Sequence, residues 1–469
     1  MDIRILSRSS RVLAALAVFL LAGNAFASGA VLRVTNDGTD SATCGSPARP
    51  CRSISQGIEN ATDGDTIEVG AGRYGDISGR GTFTGPGDEH PAVYGGQACI
   101  VCITKAVHIY SLHGAAVTTI EGSSATQYTS TVLILHDAVA FGAKGRGFTL
   151  TGGNQNGLNI DVDTLYLAQG QSGVLRRNIT VAGNVDVADR FGFTFSGPFP
   201  PRECPTFELC AVPASILFTD NTAINNANGF AITVNADFGP GNILLQDNLV
   251  LAAGIGINVQ TGAQQRGGDT AIRADIVQLL NNVATHCSLG FSTLLVGSIN
   301  GNTAAANSVA GFLVVPGAVS SFAGNSAIGN AGPGVILQFS PDPFTDQSFG
   351  RFRPFGANNF YGNDRNRPVL SIFTGAVIET GSDSNGFNPG PSAHCGVLNV
   401  GALAPVIVQG DEDPVPVITV FAGGNFWGSA SGPQPTGAGD AVGGACDQNR
   451  AITIGKPFAT GSFGISTSP

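Results

Sequence analysis

Four arginines, Arg351, Arg353, Arg365 and Arg367, fall within 17 residues, beside Phe352, Phe355, Phe360 and Tyr361. Guanidinium groups grip carboxylates through paired hydrogen bonds, and aromatic rings add flat apolar contact. This densest basic-aromatic segment suits the binding of an acidic polymer; a solvated loop with incidental charge is the other reading. Asp161 and Asp163 stand at i, i+2 on a stretch that reads as a strand, so both side chains share one face. Asp186 and Asp189 follow one repeat later, near Arg176, Arg177 and Arg190. Two acidic pairs on adjacent repeats could supply the oxygen ligands that calcium takes, or could pair with those arginines. The histidines are scattered, with His113 and His136 isolated, and the sequence holds no nucleophile elbow, phosphate loop or zinc signature.

Composition bounds the elements that must position these groups. Charged residues make up only 12% of the 469, while glycine fills 66 positions. An α-helical enzyme needs more Lys, Glu and Arg to solvate its outer faces. A β protein that turns often and dresses its surface with Asn, Thr, Ser and Gly fits better. The mean hydropathy of +0.18 raises the question of membrane spans. After about residue 30, however, no run approaches the roughly 18 consecutive apolar residues that a spanning helix needs. The net charge of −10 argues against nucleic acid, whose phosphates require clustered Lys and Arg.

The first residues read as an export leader. Arg4, Arg8 and Arg11 precede the apolar run from Val12 to Ala22, and Ala25-Phe26-Ala27 offers a small-x-small cleavage site. Residues 1–27 are thus expected to be removed, with the mature protein periplasmic, secreted or on the cell surface. Nine cysteines in an exported chain read first as disulfides. Cys44 and Cys51 flank one short loop, Cys204 and Cys210 another, and Cys395 and Cys446 could tie the C-terminal segments together. Cys99 and Cys102 form a lone C-x-x-C with no second pair at zinc spacing, which favours a structural staple. Cys287 is the expected unpaired thiol.

Self-similarity decides the fold. An Asn followed eight or nine residues later by Gly recurs at Asn184, Asn221, Asn248, Asn282, Asn302 and Asn325. The Asn is usually preceded by Gly, Asp or Asn, and a short apolar strand follows the Gly, as in Gly229-Phe230-Ala231-Ile232-Thr233-Val234. Each unit reads as two or three strands of three to five residues. One unit alone cannot bury its inward face, so units must stack, at about 4.8 Å per step. Stacking places each Asn above the next, where the amides can bond along a ladder and tolerate a left-handed turn. The strands are too closely spaced for crossover helices, which excludes a βαβ fold.

These coils resemble the right-handed parallel β-helix repeat proteins of the pectate-lyase-like superfamily, over roughly residues 31 to 430. The opening block, from Val34-Thr35-Asn36 through Ala61-Thr62-Asp63-Gly64-Asp65 to Gly72-Arg73-Tyr74, is similar to the start of many such proteins, where a short helix caps the first coil. Residues Ser53 to Ala61 fit that helix, with Ile54 and Ile58 one turn apart. Gly424-Asn425-Phe426-Trp427-Gly428-Ser429 resembles the segment that closes them, where Trp427 either plugs the last coil or stacks on a sugar. The expected fold is therefore all-β: a right-handed parallel β-helix, a single-stranded solenoid with an N-terminal capping helix. Its parts would be the leader (1–27), the cap and first coils (28–120), the central repeats (121–380) and the closing coils (381–469).

The resemblance implies a groove along one sheet, walled by long inserted turns. The longest candidates are Gly75 to Ala98, Gly197 to Pro213, Gly262 to Ala274, Pro341 to Asn366 and Gly381 to Ala393. The uronic-acid lyases of the superfamily use cations to neutralise a carboxylate and a Lys or Arg base, often beside calcium. On that pattern Arg351, Arg353 and Lys144 are the catalytic candidates. Arg365, Arg367, Tyr361 and Trp427 would bind substrate, and Asp161, Asp163, Asp186 and Asp189 would hold the metal. The pectin-hydrolase pattern lacks its Gly-His-Gly segment here. The expected partner is an extracellular, acidic polysaccharide or a cell-surface glycan. The alternative is a non-catalytic adhesion or structural rod, which the scarcity of lysine favours.

Overall fold

Each repeat becomes three short strands, and each strand joins a different sheet. The computed structural model describes residues 29–77, 85–122, 129–161, 178–196, 215–235, 242–262, 277–293, 297–314, 321–338 and 355–363, with short pieces at 371–374, 376–379, 397–400, 419–421, 425–431, 437–438 and 452–454. The first sheet has 11 strands, from Val31–Val34 to Phe355–Gly356. The second has 10, from Gly72–Gly75 to Asn359–Tyr361. The third has 11, from Ala92–Tyr94 to Val397–Val400. Strands of successive coils pair in parallel and in register, as in Phe193↔Phe230, Phe230↔Ile257 and Ile257↔Phe291. The exception within these sheets is a hairpin, Ala92–Tyr94 against Gln97–Ile103, at the start of the third. This is the expected parallel β-helix, with three strands per coil. Third-sheet strands grow longer than expected, to eight residues in Asn228–Asn235 and Ile255–Gly262.

Side chains alternate inward and outward, and the inward set forms continuous columns that fill the rod. Aromatic rings stack where columns allow it: Phe193 on Phe230 at 4.9 Å and Phe291 on Phe312 at 4.6 Å. The helix Ile54–Asn60 closes the N-terminal end, burying Ile54 and Ile58 as their spacing requires. Ser53 caps it by accepting from the Gln56 N–H at 3.0 Å, and the buried Glu89 carboxylate accepts the Ile54 and Ser55 N–H groups. Without this cover the first coil would present an unpaired, aggregation-prone end. Disulfides join Cys44 to Cys51 and Cys99 to Cys102, and Cys287 is a buried free thiol. Cys204, Cys210, Cys395 and Cys446 lie outside the described residues. No helix among the described residues is long and apolar enough to cross a membrane.

The turn from first to second sheet is a residue pair in seven successive coils, from Gly183-Asn184 to Ala357-Asn358. The asparagines of this turn form the expected ladder. Each Oδ1 accepts both the backbone N–H and the Nδ2 of the preceding coil's Asn, from Asn184 onto Asn221 through to Asn358 onto Asn425. The left-handed residue of the turn is not the ladder Asn, as expected from sequence, but its predecessor. Asp220, Asp247 and Asn281 have φ of 54°, 53° and 55°, and Gly183 and Gly301 fill the same place in other coils. That residue reverses the chain and leaves the Asn free to bond along the axis.

Candidate functional site

The second turn carries its own amide ladder, which was not anticipated. Asn307, Asn330 and Asn363 bond one to the next, and Asn307 Oδ1 accepts the Cys287 N–H at 2.9 Å. Each stands five residues after a ladder Asn of the first turn, as do Asn226, Cys287 and Asp189. The five-residue offset was the signal available in the sequence. It also gives Asp189 a structural post: it accepts the Gly152 and Gly153 N–H groups of the preceding coil.

Asp186 lies between outward-facing Val185 and Val187 and points into the rod, fully buried. Its carboxyl accepts Asn226 Nδ2 at 2.6 Å and lies beside that of Asp189, where a proton on one of the two would relieve the repulsion between them. Burial, then the neighbouring Asp189 charge, pushes Asp186 well above the ordinary carboxylate range. Burial raises Asp189 to about 6, against the opposing pull of the bonds it accepts. A Cβ on Gly157 would stand 1.8 Å from Asp186 Oδ1, so the glycine makes the space the acid occupies. Asp161 sits elsewhere, at the outer face of the third sheet beside Gln97. The structure thus brings Asp186 and Asp189 together but does not gather them with Asp161, and Asp163 lies outside the described residues. No group of three or more His, Cys, Asp or Glu among the described residues could hold a metal ion.

The other expected site residues also scatter. Lys144 pairs with Asp220 at 2.8 Å beside the first-turn ladder, away from the third sheet. Trp427 is fully buried against Phe360, ring centroids 5.1 Å apart, so it plugs the last coil and offers no sugar platform. Tyr361 stands on the outer face of the second sheet with its ring edge-on to Phe426 at 5.9 Å. Phe360 is core. Arg351, Arg353, Arg365 and Arg367 lie outside the described residues.

The described strands do show which sheet the long insertions interrupt. The long segments 161–177, 197–214, 236–241, 263–276 and 339–354 each follow a third-sheet strand, and Gly75 to Ala98 enters that sheet from its other edge. Gly381 to Ala393 lies outside the described residues. The third sheet is therefore the one bordered by long insertions, and its outer face is the candidate site. Because Leu158, Phe193, Phe230, Ile257, Phe291, Phe312 and Val335 point inward, the residues after them form one outward column in register: Asn159, Thr194, Ala231, Asn258, Ser292, Leu313 and Ile336.

This column changes character along the rod. At one end Leu133 is covered by the hairpin, in a small apolar cluster with Cys99, Leu135, Tyr94 and Cys102. At the other, Leu313 and Ile336 are 2% and 1% exposed despite facing outward. Between them the column is amide and hydroxyl apart from Ala231. Asn159 Nδ2 donates to Gln97 at 2.9 Å and Thr194 Oγ1 donates to Asn159 Oδ1 at 2.8 Å, a chain that fixes these groups. Asn258 is 9% exposed, and its Oδ1 is enclosed with no hydrogen-bond partner. A parallel outward column runs through Ser196, Thr233 and Gln260. Asp161, next to Gln97, is the one ionisable group in these stretches of the two columns.

No family model matches the chain, and no curated protein matches it in sequence. Among solved structures it is similar to pectate lyase Pel9A, with a TM-score of 0.34 and 12% identity over 67% of this chain and 77% of that one. It is also similar to a rhamnogalacturonan lyase, with a TM-score of 0.28 and 12% identity over 66% of this chain and 83% of that one. The assignment as a parallel β-helix stands on its own three parallel sheets.

Proposed function

We propose that the chain is an exported protein that binds an extended polysaccharide along the outer face of its third sheet. One observation carries this reading. The outward column is polar but for Ala231 and in register through the central coils, is bounded by apolar residues at both ends, and belongs to the sheet whose strands the long insertions follow. A polymer of hydroxyl-rich units needs repeated, pre-positioned donors and acceptors, and a solenoid supplies them at one set per coil. The leader and the two disulfides support export to the periplasm, the medium or the cell surface. An acidic glycan remains the class that Arg351, Arg353, Arg365 and Arg367 would suit, and eliminative cleavage is the reaction they could assist.

The test is titration calorimetry of the mature protein with hexasaccharides of xylose, glucose, galactose and galacturonate, with and without calcium. At least one is expected to bind with micromolar affinity. Ultraviolet absorbance of the unsaturated product reports cleavage in the same mixtures. Absence of binding to every hexasaccharide removes the polysaccharide reading and leaves the rod as a scaffold.

A further inference from the structure

The polar column has a notch. In the first-turn ladder every amide acceptor from Asn184 to Asn425 is met, whereas Asn258 Oδ1 on the outer face of the third sheet, like Asn226 Oδ1 inside the rod, is met by none. Its register partners explain why. On one side stands Ala231, whose methyl reaches nothing polar, and on the other Ser292, which sends it no hydrogen bond. Thr194, one coil beyond Ala231, is already committed to Asn159 and to the Leu158 carbonyl. Ala231 is also less buried than Thr194 or Asn258 on either side of it. The column therefore has a gap one side chain deep and two coil rises long, about 10 Å. Thr233 and the exposed Gln260 flank it.

We propose that this notch, floored by Ala231 and ended by the Asn258 amide, is a subsite for one ring of a neutral sugar, held through a hydroxyl. The inference rests on the polysaccharide reading and names the chemistry of one position within it. An enclosed amide oxygen with no donor repels carboxylate and phosphate, whereas a sugar hydroxyl donates to it. A hydroxyl also serves if the amide is turned, since it accepts as readily as it donates. No cation from the two columns reaches the notch, and Asp161 on the same face further disfavours a uronate there. Enclosure of the amide makes the contact selective, because a ligand without a hydroxyl at this point leaves the acceptor unpaired.

The experiment fills the notch from within. Ala231→Asn extends the amide column to Asn258, and Ala231→Val fills the space without an amide. Both are titrated with the same four hexasaccharides, beside Thr180→Asn on the outer face of the first sheet as control. The expected result is tightest binding of a neutral hexasaccharide to the wild type. Either notch variant should weaken it at least tenfold, with the control unchanged, and Ala231→Asn should melt no lower than wild type. Wild-type affinity in both Ala231 variants overturns the subsite while the polysaccharide reading stands. Binding confined to the galacturonate oligomer overturns the neutral-sugar assignment. Binding of none overturns subsite and reading together.

Discussion

Asn248 and Asn258 lie ten residues apart in one coil, and both are at least nine-tenths buried, yet they do opposite things. Asn248 donates through Nδ2 to Asn282 and to the Phe218 carbonyl, donates its N–H to Asn282, and accepts twice from Asn221. Asn258 has an acceptor that nothing meets. The difference is the neighbour. The first-turn ladder has an asparagine in every coil from Asn184 on, so each amide completes the next. The outward column of the third sheet alternates Asn, Thr, Ala, Asn and Ser, and one alanine is enough to leave an amide unsatisfied. A ladder that is filled is structure; the gap in the outward column is where we place a ligand.

Breaking the filled ladder should have the largest effect. Asn248→Ala takes the acceptor from the Asn221 N–H and from one of the two Asn221 Nδ2 hydrogens, the other keeping the Val181 carbonyl, and takes a donor from the Phe218 carbonyl, at about 1–3 kcal/mol for each buried group left unpaired. Urea unfolding is expected to show a loss of about 4 kcal/mol. A loss under about 1 kcal/mol would mean that the ladder is ornament.

Asp186 gives the next effect, with a sign that depends on pH. Its folded pKa and that of Asp189 are both raised above the unfolded value near 3.9. The fold therefore favours the protonated acids. Their contribution is complete below about pH 4 and is lost as pH rises through 6, the value to which Asp189 is raised, with Asp186 shifted in the same direction. Asp186→Asn keeps the shape, still accepts from Asn226, and needs no proton. At pH 8 it should stabilise the protein by about 1–2 kcal/mol, and it should flatten the decline between pH 5 and 8. An unchanged pH profile would contradict a shared proton at this pair.

The smallest effect on stability belongs to Asn258, where the account expects binding and folding to separate. Asn258→Ala removes an unpaired acceptor, so stability should change by less than about 0.5 kcal/mol or rise. Affinity for the best hexasaccharide should fall about tenfold, as one lost hydrogen bond in an enclosed site implies. A loss of stability comparable to that of Asn248→Ala would show that Asn258 is bonded after all.

Much of this was legible in the residues. The Asn–Gly series announced the coils and the first ladder because an identical side chain returns at the same turn whatever the length of the insertion between. The capping helix showed in Ile54 and Ile58, and the plug in the lone Trp427. The second ladder was visible too, as an Asn five residues after an Asn, but Asp189 and Cys287 interrupt the pattern and disguised it. Asp186 misled because a polar residue between two valines reads as the outward member of a strand, and here the alternation is reversed. The site was less legible for a physical reason. Whether Asn258 is satisfied depends on which residue stands 27 positions earlier, at Ala231, and that register is set by insertions of unequal length. Arg351, Arg353, Arg365 and Arg367 stand out in the sequence by density and lie outside the described residues, while the described part of the polar face carries one ionisable group, Asp161.

Hydrogen–deuterium exchange with the tightest-binding of the four hexasaccharides tests the central claim most directly, because it reads each sheet separately. The account predicts slowed exchange in the third-sheet strands Phe191–Ser196, Asn228–Asn235 and Ile255–Gly262, with none in the first-sheet strands Ser215–Thr219 and Asn242–Gln246. Protection confined to the first or second sheet would contradict it.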